Sequence, residues 1–201
     1  MDQETMRARV RAALKDRDAT DYYWSDDEVD AAIQTALDDY TSVFPAVASL
    51  AASGNGSDCR FALAPPDDYL YALAVEHPVG AGIGESAPRW RKFYEEARGS
   101  VLVHGDPPTT GTENVRVWYA RAHSLAGDWS VCPEDEPLVI LGAAGYLATA
   151  GARHAAVRLN ASPTTARDLM QLGKDLLLEF QRRLNPLRVR AVGPKWWSSW
   201  A

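Results

Sequence analysis

Histidine and cysteine, the side chains that most often ligate metals or act as general bases, are scattered singly along this sequence. They are His77, His104, His123, His154, Cys59 and Cys132. None of the histidines has a second histidine, a cysteine or a carboxylate at metal-ligand spacing on a predicted helix. The two cysteines suggest neither a zinc site nor a disulfide framework, which favours a reducing, cytoplasmic origin. We therefore predict no metal and no cofactor.

Paired carboxylates, which could share the roles of acid and base, occur at the start and in the second half of one predicted helix. They are Asp26, Asp27, Asp30, Asp38 and Asp39. Acidic residues in a first helical turn are stabilised by the positive end of the helix dipole, and Asp38 and Asp39 fall on the polar face. A structural role is therefore favoured over a catalytic one.

Glycine and serine patterns also fall short of a reactive site. Gly80, Gly82 and Gly84 resemble a phosphate loop, but the third glycine comes one residue too soon for a dinucleotide fingerprint, and no helix is predicted after it. Ser124 and Ser130 lie in no nucleophile-elbow context. With no catalytic residue to name, we predict that the chain is not an enzyme.

The composition is that of a soluble globular protein, with 46% hydrophobic and 24% charged residues among 201. A net charge of −6 disfavours a general nucleic-acid binder. The basic runs 89–92 and 188–190 could contact nucleic acid, although a solvated strand face or an interface is more typical in an acidic chain. No secretory signal is predicted at 1–4, and the longest weakly polar stretch, 137–152, is too short and too weakly apolar to span a membrane.

Helical periodicity frames the two ends of the chain. The pattern predicts a first helix over 3–18 and a second from Ser25, where Ser25 and Glu28 form a capping box, to Phe44. A third helix, rich in alanine and glycine, is predicted to about Val157. A fourth opens at Ser162. Its predicted apolar face comprises Leu169, Leu172, Leu176, Leu177, Phe180 and Leu184.

Between these helices the period shortens to two, and proline and glycine become frequent. Predicted strands lie at 47–52 and 59–64, which we interpret as a hairpin, and at 69–76, 90–95, 101–104 and 115–121. In the last of these, Val115, Val117 and Tyr119 face one way. The block predicts one small antiparallel sheet.

The chain ends in a segment that carries three of its seven tryptophans. Prolines flank it, and its apolar residues are Leu187, Val189, Val192, Trp196, Trp197 and Trp200. Tryptophans on a terminus need a surface to bury against, on this molecule or on another. The segment either folds back as an edge strand or docks into a partner, and we favour docking.

The predicted fold class is α+β: a four-helix bundle-like core with an inserted small antiparallel β-sheet and an extended C-terminal tail. The predicted parts are N-terminal helices at 1–45, a β-rich insertion at 46–131, C-terminal helices at 132–185 and a docking tail at 186–201.

This order of elements resembles the head-to-tail connector (adaptor) proteins of long-tailed bacteriophages. The segments that carry the resemblance are 23–33 with Asp39-Tyr40 and Phe44-Pro45, 75–80 with 88–93, and 115–125 ahead of 136–156. Together they span most of the chain. The large β insertion departs from the smallest, nearly all-helical members of that family.

The resemblance implies a structural protein of the virion neck, assembled in the host cytoplasm. It would form a ring with adjacent copies, a dodecamer matching the portal, and would extend the DNA channel toward a downstream neck or tail-terminator protein. The tail occupies the place of the family's portal-binding segment, and the family has no catalytic residues. Alternatives are a tail-completion or head-closure factor, or a small cytoplasmic α+β ligand-binding domain or enzyme.

An acidic lumen would let double-stranded DNA pass without holding its phosphates. We therefore expect Asp26, Asp27, Asp30, Asp38 and Asp39 to face the channel.

Overall fold

The computed structural model describes residues 2–16, 23–77, 79, 90–125, 129–157 and 163–186. Its helices are α1 (Gln3–Ala13), α2 (Asp26–Val43), α3 (Glu136–Val157) and α4 (Pro163–Leu184). Its strands are β1 (Ala46–Gly54), β2 (Arg60–Ala62), β3 (Tyr69–Glu76), β4 (Trp90–Arg91), β5 (Phe93–Ala97), β6 (Ser100–Val103) and β7 (Gly111–Arg121). The predicted C-terminal tail lies outside the described residues.

The chain divides into two compact units. The helical unit comprises residues 1–44 and 123–201, and the strand unit comprises residues 45–122. The α+β class, with antiparallel strands inserted between helices, is therefore confirmed, while the bundle-like packing of the helices remains a prediction. The helical unit resumes at His123. Val131, which the sequence places at the end of the insertion, is buried in the helical core.

Local signals fix where α2 begins. The Ser25 side chain accepts from the Glu28 backbone N–H, and the Glu28 carboxylate accepts from the Ser25 backbone N–H. This confirms the predicted capping box. Such caps stabilise a helix start by about 1 kcal/mol. Helix α1, in contrast, ends at Ala13, earlier than predicted, with Lys15 at a positive φ of 61°.

Helix α3 lies at the centre of the helical unit and contacts the other three helices. Its glycines allow this close packing. A Cβ on Gly142 would lie 3.0 Å from the Phe180 ring of α4 and 3.1 Å from Ala36 of α2. A Cβ on Gly151 would lie 3.0 Å from the Trp24 indole nitrogen. The small residues of α3 therefore serve packing within the chain.

Helix α4 packs through a narrow stripe that includes Gly173, Phe180 and Leu184. Leu172, predicted on the buried face, is 42% exposed. The reason is angular: Leu172 stands about 100° from Gly173 around the helix, which places it at the margin of the stripe.

The strand unit contains two antiparallel sheets where one was predicted. The first has the order β1-β7-β3-β4 and the second the order β2-β6-β5. Valines from both sheets, including Val75, Val101 and Val117, form a shared core. As predicted, Val115, Val117 and Tyr119 point to the buried side of β7.

The predicted hairpin between 47–52 and 59–64 is wrong. Strand β1 pairs with β7, from Ala46 opposite Arg121 to Gly54 opposite Gly111, whereas β2 pairs with β6. The turn at 54–58 therefore carries the chain from one sheet to the other. The predicted strand at 90–95 is likewise divided between the sheets, as β4 in the first and β5 in the second.

Candidate functional site

The predicted acidic face of α2 divides in three directions. Asp26 and Asp30 point at α1, where Arg7 donates to both and Arg11 donates to Asp26 at 2.8 Å. The Arg7 Nε–Asp30 Oδ1 distance is 2.7 Å, and this hydrogen bond holds the pKa of Asp30 below its usual value of 3.8. Two of the five carboxylates therefore clamp α1 to α2.

Asp39 points at α3 and accepts a hydrogen bond from the Tyr146 hydroxyl. Burial, and then this carboxylate, raise the pKa of Tyr146 to about 12. Asp26, Asp27 and Asp38 are the exposed members of the set, although Asp26 is paired with Arg7 and Arg11. Asp38 accepts from Gln34 at 2.9 Å. The structure thus leaves Asp27 and Asp38 to face solvent and does not gather the five aspartates on one surface.

Arg11 is a buried cation that sequence reasoning missed. It is 4% exposed and donates at 2.8 Å to the Asp16 carboxylate, the Trp24 carbonyl and the Asp26 carboxylate. These contacts join the end of α1 to the start of α2. The spacing of Arg7 and Arg11, one helical turn apart and facing acidic residues at the same spacing on α2, was the available signal.

His123, which is buried, and Ser130, which is half-buried, form a hydrogen-bonded pair that the sequence did not predict. The Nδ1–Oγ distance is 2.7 Å, and Nε2 lies 2.9 Å from the Phe44 carbonyl oxygen. Because a carbonyl can only accept, Nε2 carries a proton and donates it to Phe44, while Nδ1 shares a hydrogen bond with the Ser130 hydroxyl. The His123 backbone N–H donates to Thr41 at 3.1 Å.

This pair is built for anchoring, because both ring nitrogens are engaged by the protein and the ring is 2% exposed. The group that Nε2 contacts is the Phe44 carbonyl, whereas a catalytic histidine is typically oriented by a carboxylate. His123 therefore ties the end of α2 to the point where the chain returns from the strand unit.

The strand unit has its own polar cluster around Glu76 and His77, both more than 90% buried. Glu76 accepts from the Trp118 indole N–H at 3.4 Å and lies 3.6 Å from Arg116, its cross-strand neighbour on β7. Arg91 lies 3.5 Å from His77 Nδ1. Arg91, from one of the predicted basic runs, is therefore engaged within the first sheet.

A second polar cluster links the two sheets. Glu95 of β5 accepts from the Tyr69 hydroxyl at 2.6 Å and from the Ala72 backbone N–H at 2.7 Å, both on β3. Tyr69 also stacks on Tyr119 with the ring centroids 5.0 Å apart. Burial, followed by the hydrogen bond to Glu95, raises the pKa of Tyr69.

The remaining predicted chemistry is dispersed. His104 is exposed, and His154 lies 3.8 Å from Glu28 across α3 and α2. Over the described residues, no group of three or more histidine, cysteine, aspartate or glutamate side chains is placed to hold a metal ion. Of the helices described, none is both long and apolar enough to cross a membrane.

Three sequence features lie outside the described residues. They are the glycine pattern Gly80–Gly84, the basic run at 188–190 and the tail residues Leu187, Val189, Val192, Trp196, Trp197 and Trp200. The predicted portal-binding set therefore stays a prediction.

The sequence matches no protein-family model and no curated protein. Two solved structures are partly similar. One is described as the neck of an empty GTA particle computed with C6 symmetry; identity is 19% over 73% of this chain and 77% of that chain, with a TM-score of 0.31. The other is the neck of a native GTA particle computed with C12 symmetry; identity is 21% over 85% of this chain and 89% of that chain, with a TM-score of 0.29. At these TM-scores neither similarity determines fold or function.

Proposed function

We propose that this chain is a structural neck protein of a bacteriophage-like particle. As a head-to-tail connector adaptor, it forms a ring, a dodecamer, beneath the portal protein and extends the DNA channel toward the tail. Its partners are the portal, adjacent copies, a downstream neck or tail-terminator protein and, in passing, double-stranded DNA. It acts in the virion neck and carries no catalytic residue.

The order of elements is the observation that carries this proposal. Two helices, a β-rich insertion, a small-residue helix and a long amphipathic helix follow one another, as the resemblance to the adaptor family requires. The polar side chains support the same interpretation. Arg11, Glu76 and His123, which are the buried groups best suited to chemistry, bond to other parts of the protein.

The most direct test is electron microscopy of the protein mixed with the portal of the same particle. The proposal predicts a second ring, coaxial with the portal and continuous with its channel. Particles that show the portal alone, at protein concentrations well above the portal's, would refute the adaptor function.

The tail supplies the portal contact in this proposal, with Trp196, Trp197 and Trp200 as anchors. Tryptophan dominates the energetics of many interfaces, and loss of one anchor typically costs at least about 2 kcal/mol. Replacing all three by serine in the full chain should leave the helical circular dichroism unchanged and abolish portal binding. The control is Tyr94→Ser, which removes a 60% exposed aromatic from β5.

Two results would contradict the tail assignment. A folded triple variant that still joins the portal shows that the contact lies elsewhere. A triple variant that unfolds shows that the tryptophans belong to the protein's own core.

Of the five aspartates expected to face the DNA channel, Asp27 and Asp38 are the ones we test, because Asp26 and Asp30 are paired with arginines and Asp39 with Tyr146. Neutralising Asp27 and Asp38 to asparagine should leave ring assembly intact and slow DNA exit, since fewer carboxylates repel the phosphates. Asp175→Asn, on α4, is the matched control for the loss of one exposed charge. Unchanged ejection kinetics in the double variant would count against an acidic lumen on α2.

A further inference from the structure

Strand β1 is an open sheet edge that lacks most of the features that normally protect one. An exposed edge presents unpaired N–H and C=O groups, and proteins blunt such edges with short strands, charges, prolines or bulges. β1 spans nine residues, Ala46–Gly54, and its sequence has no charge and no proline. Among the described residues it pairs on one side only, with β7. Its register is regular from Ala46 to Ala52 and shifts between Ala52 and Gly54, at the end of the strand.

The other edges of the two described sheets are protected. β4 has two residues and β2 has three. β5 carries Glu95 and Glu96 and has a register shift between Glu95 and Ala97. β1 therefore differs from every other described edge in its length and its lack of charge, which marks it as an edge available for pairing with another strand.

The side chains of β1 alternate between the two faces of the sheet. Val47, which is 58% exposed, lies with Ser49 and Ala51 on the open face of the sheet. Leu50 and Ala52, on the opposite face, are half-buried, and Ala52 packs against the core of the strand unit. An added strand would fit best if it were apolar on the core side and polar on the open side.

We propose that the open edge of β1 pairs with residues 187–192 of a neighbouring copy. That segment begins where the described chain ends, at Pro186, and reads Leu-Arg-Val-Arg-Ala-Val. From Leu187 to Ala191, apolar and basic residues alternate with the period of a strand. Leu187, Val189 and Ala191 extend the core layer beside Leu50, and Arg188 and Arg190 lie on the open face.

Charge favours the same pairing. The last fifteen residues contain Arg188, Arg190 and Lys195 and no acidic residue, so the other 186 residues carry a formal charge of −9 within a total of −6. The positive tail is thus attracted to the body of another copy at long range, and the uncharged edge of β1 raises no local repulsion against its arginines.

The pairing joins two different surfaces, the tail of one copy and β1 of the next. Heterologous contacts of this kind propagate around a ring and close if the rotation allows. In this respect the inference rests on the proposed ring. The pairing also gives the two halves of the tail different roles. The first half binds the neighbouring copy, and the tryptophans from Trp196 onward bind the portal.

Hydrogen exchange measured by mass spectrometry on the full-length protein tests the pairing. Exchange of the β1 amides should slow as protein concentration rises from the low micromolar to the hundreds of micromolar range. Val189→Pro, which removes a donor from the tail strand, should abolish this concentration-dependent protection. Ala51→Lys and Ala51→Glu form a matched pair at one exposed position: lysine should weaken the association about two- to fivefold, and glutamate should strengthen it, because the tail is basic.

Three outcomes overturn the inference. If β1 is protected equally at all protein concentrations and Val189→Pro removes that protection, the tail folds onto the β1 strand of its own chain. Concentration-dependent protection that survives Val189→Pro means that β1 pairs with another strand, such as β1 of a second copy. Absence of protection at every concentration means that the edge stays open. The variant lacking the three tail tryptophans should keep β1 protected while losing the portal, so failure of this pairing and failure of the adaptor function are separately visible.

Discussion

Replacing Gly173 by alanine raises the helix propensity of α4 but adds a methyl group where α4 packs against α3. The sign of the change in unfolding free energy shows which effect is larger. In the middle of a helix this substitution normally stabilises by about 1 kcal/mol. Gly173, however, lies in direct contact with α3. A Cβ there would meet Thr149 Oγ1 at 2.4 Å, the Thr149 backbone nitrogen at 2.9 Å and the Gly145 carbonyl oxygen at 3.0 Å.

Two of these three atoms belong to the backbone and cannot rotate away, so α4 must move off α3. Overpacking of a core costs about 1–3 kcal/mol and occasionally more. Because the contacts at Gly173 are so short, the cost lies at the upper end of that range. After subtracting the propensity gain, we expect a net loss of about 2 kcal/mol, or roughly 4–8 °C in Tm for a chain of this size.

Thermal unfolding followed by circular dichroism at the helical minimum would measure this change. Lys174→Ala, at the adjacent exposed position, is the control and should change stability by no more than about 0.5 kcal/mol. Thr149→Ala should partly rescue Gly173→Ala, since it removes the shortest contact and leaves the two backbone ones. A Gly173→Ala protein more stable than wild type would refute the close crossing of α3 and α4.

Three further predictions concern the buried polar groups. Arg11→Met should destabilise the protein by about 3 kcal/mol in urea unfolding, because it leaves the buried Asp16 carboxylate without its cation, whereas Arg9→Met, which breaks an exposed pair, should cost less than about 1 kcal/mol. The lowered pKa of Asp30 contributes stability that is present above its unfolded value of 3.8 and lost as the pH falls through the lowered value. Asp30→Asn should therefore flatten the acid limb of stability below that unfolded value. The raised pKa of Tyr146, about 12, contributes stability that is present below about pH 10 and lost as the pH rises toward 12. Tyr146→Phe should therefore flatten the alkaline limb when the free energy of unfolding is measured against pH.

Local features of this fold were readable from sequence because they depend on neighbours along the chain. The capping box at Ser25, the start of α4 at Pro163 and the alternating faces of β7 each follow from a few consecutive residues. The partner of β1 does not, because the pairing joins residues 57 to 75 positions apart. The glycine-rich turn after β1 is typical of a hairpin as well as of a crossover between sheets.

The candidate site shows the same limit. The aspartates of α2 were identifiable as a cluster, but their division among α1, α3 and solvent depends on which helices surround them. The approach of Ser130 to His123 likewise depends on where the chain returns from the strand unit. The length and neutrality of β1 were visible in the sequence, and they became informative only when the other sheet edges proved short, charged or irregular.

The anchoring of His123 to Phe44 has a consequence for how the protein is made. The helical core draws residues from both sides of 45–122, so it cannot be completed until the ribosome has synthesised that whole stretch and the following helices. Bringing the two ends of a flexible loop together costs entropy that grows with the logarithm of its length. A strand unit that has already collapsed shortens that loop before Phe44 and His123 meet. We therefore expect the strand unit to fold before the helical core is complete.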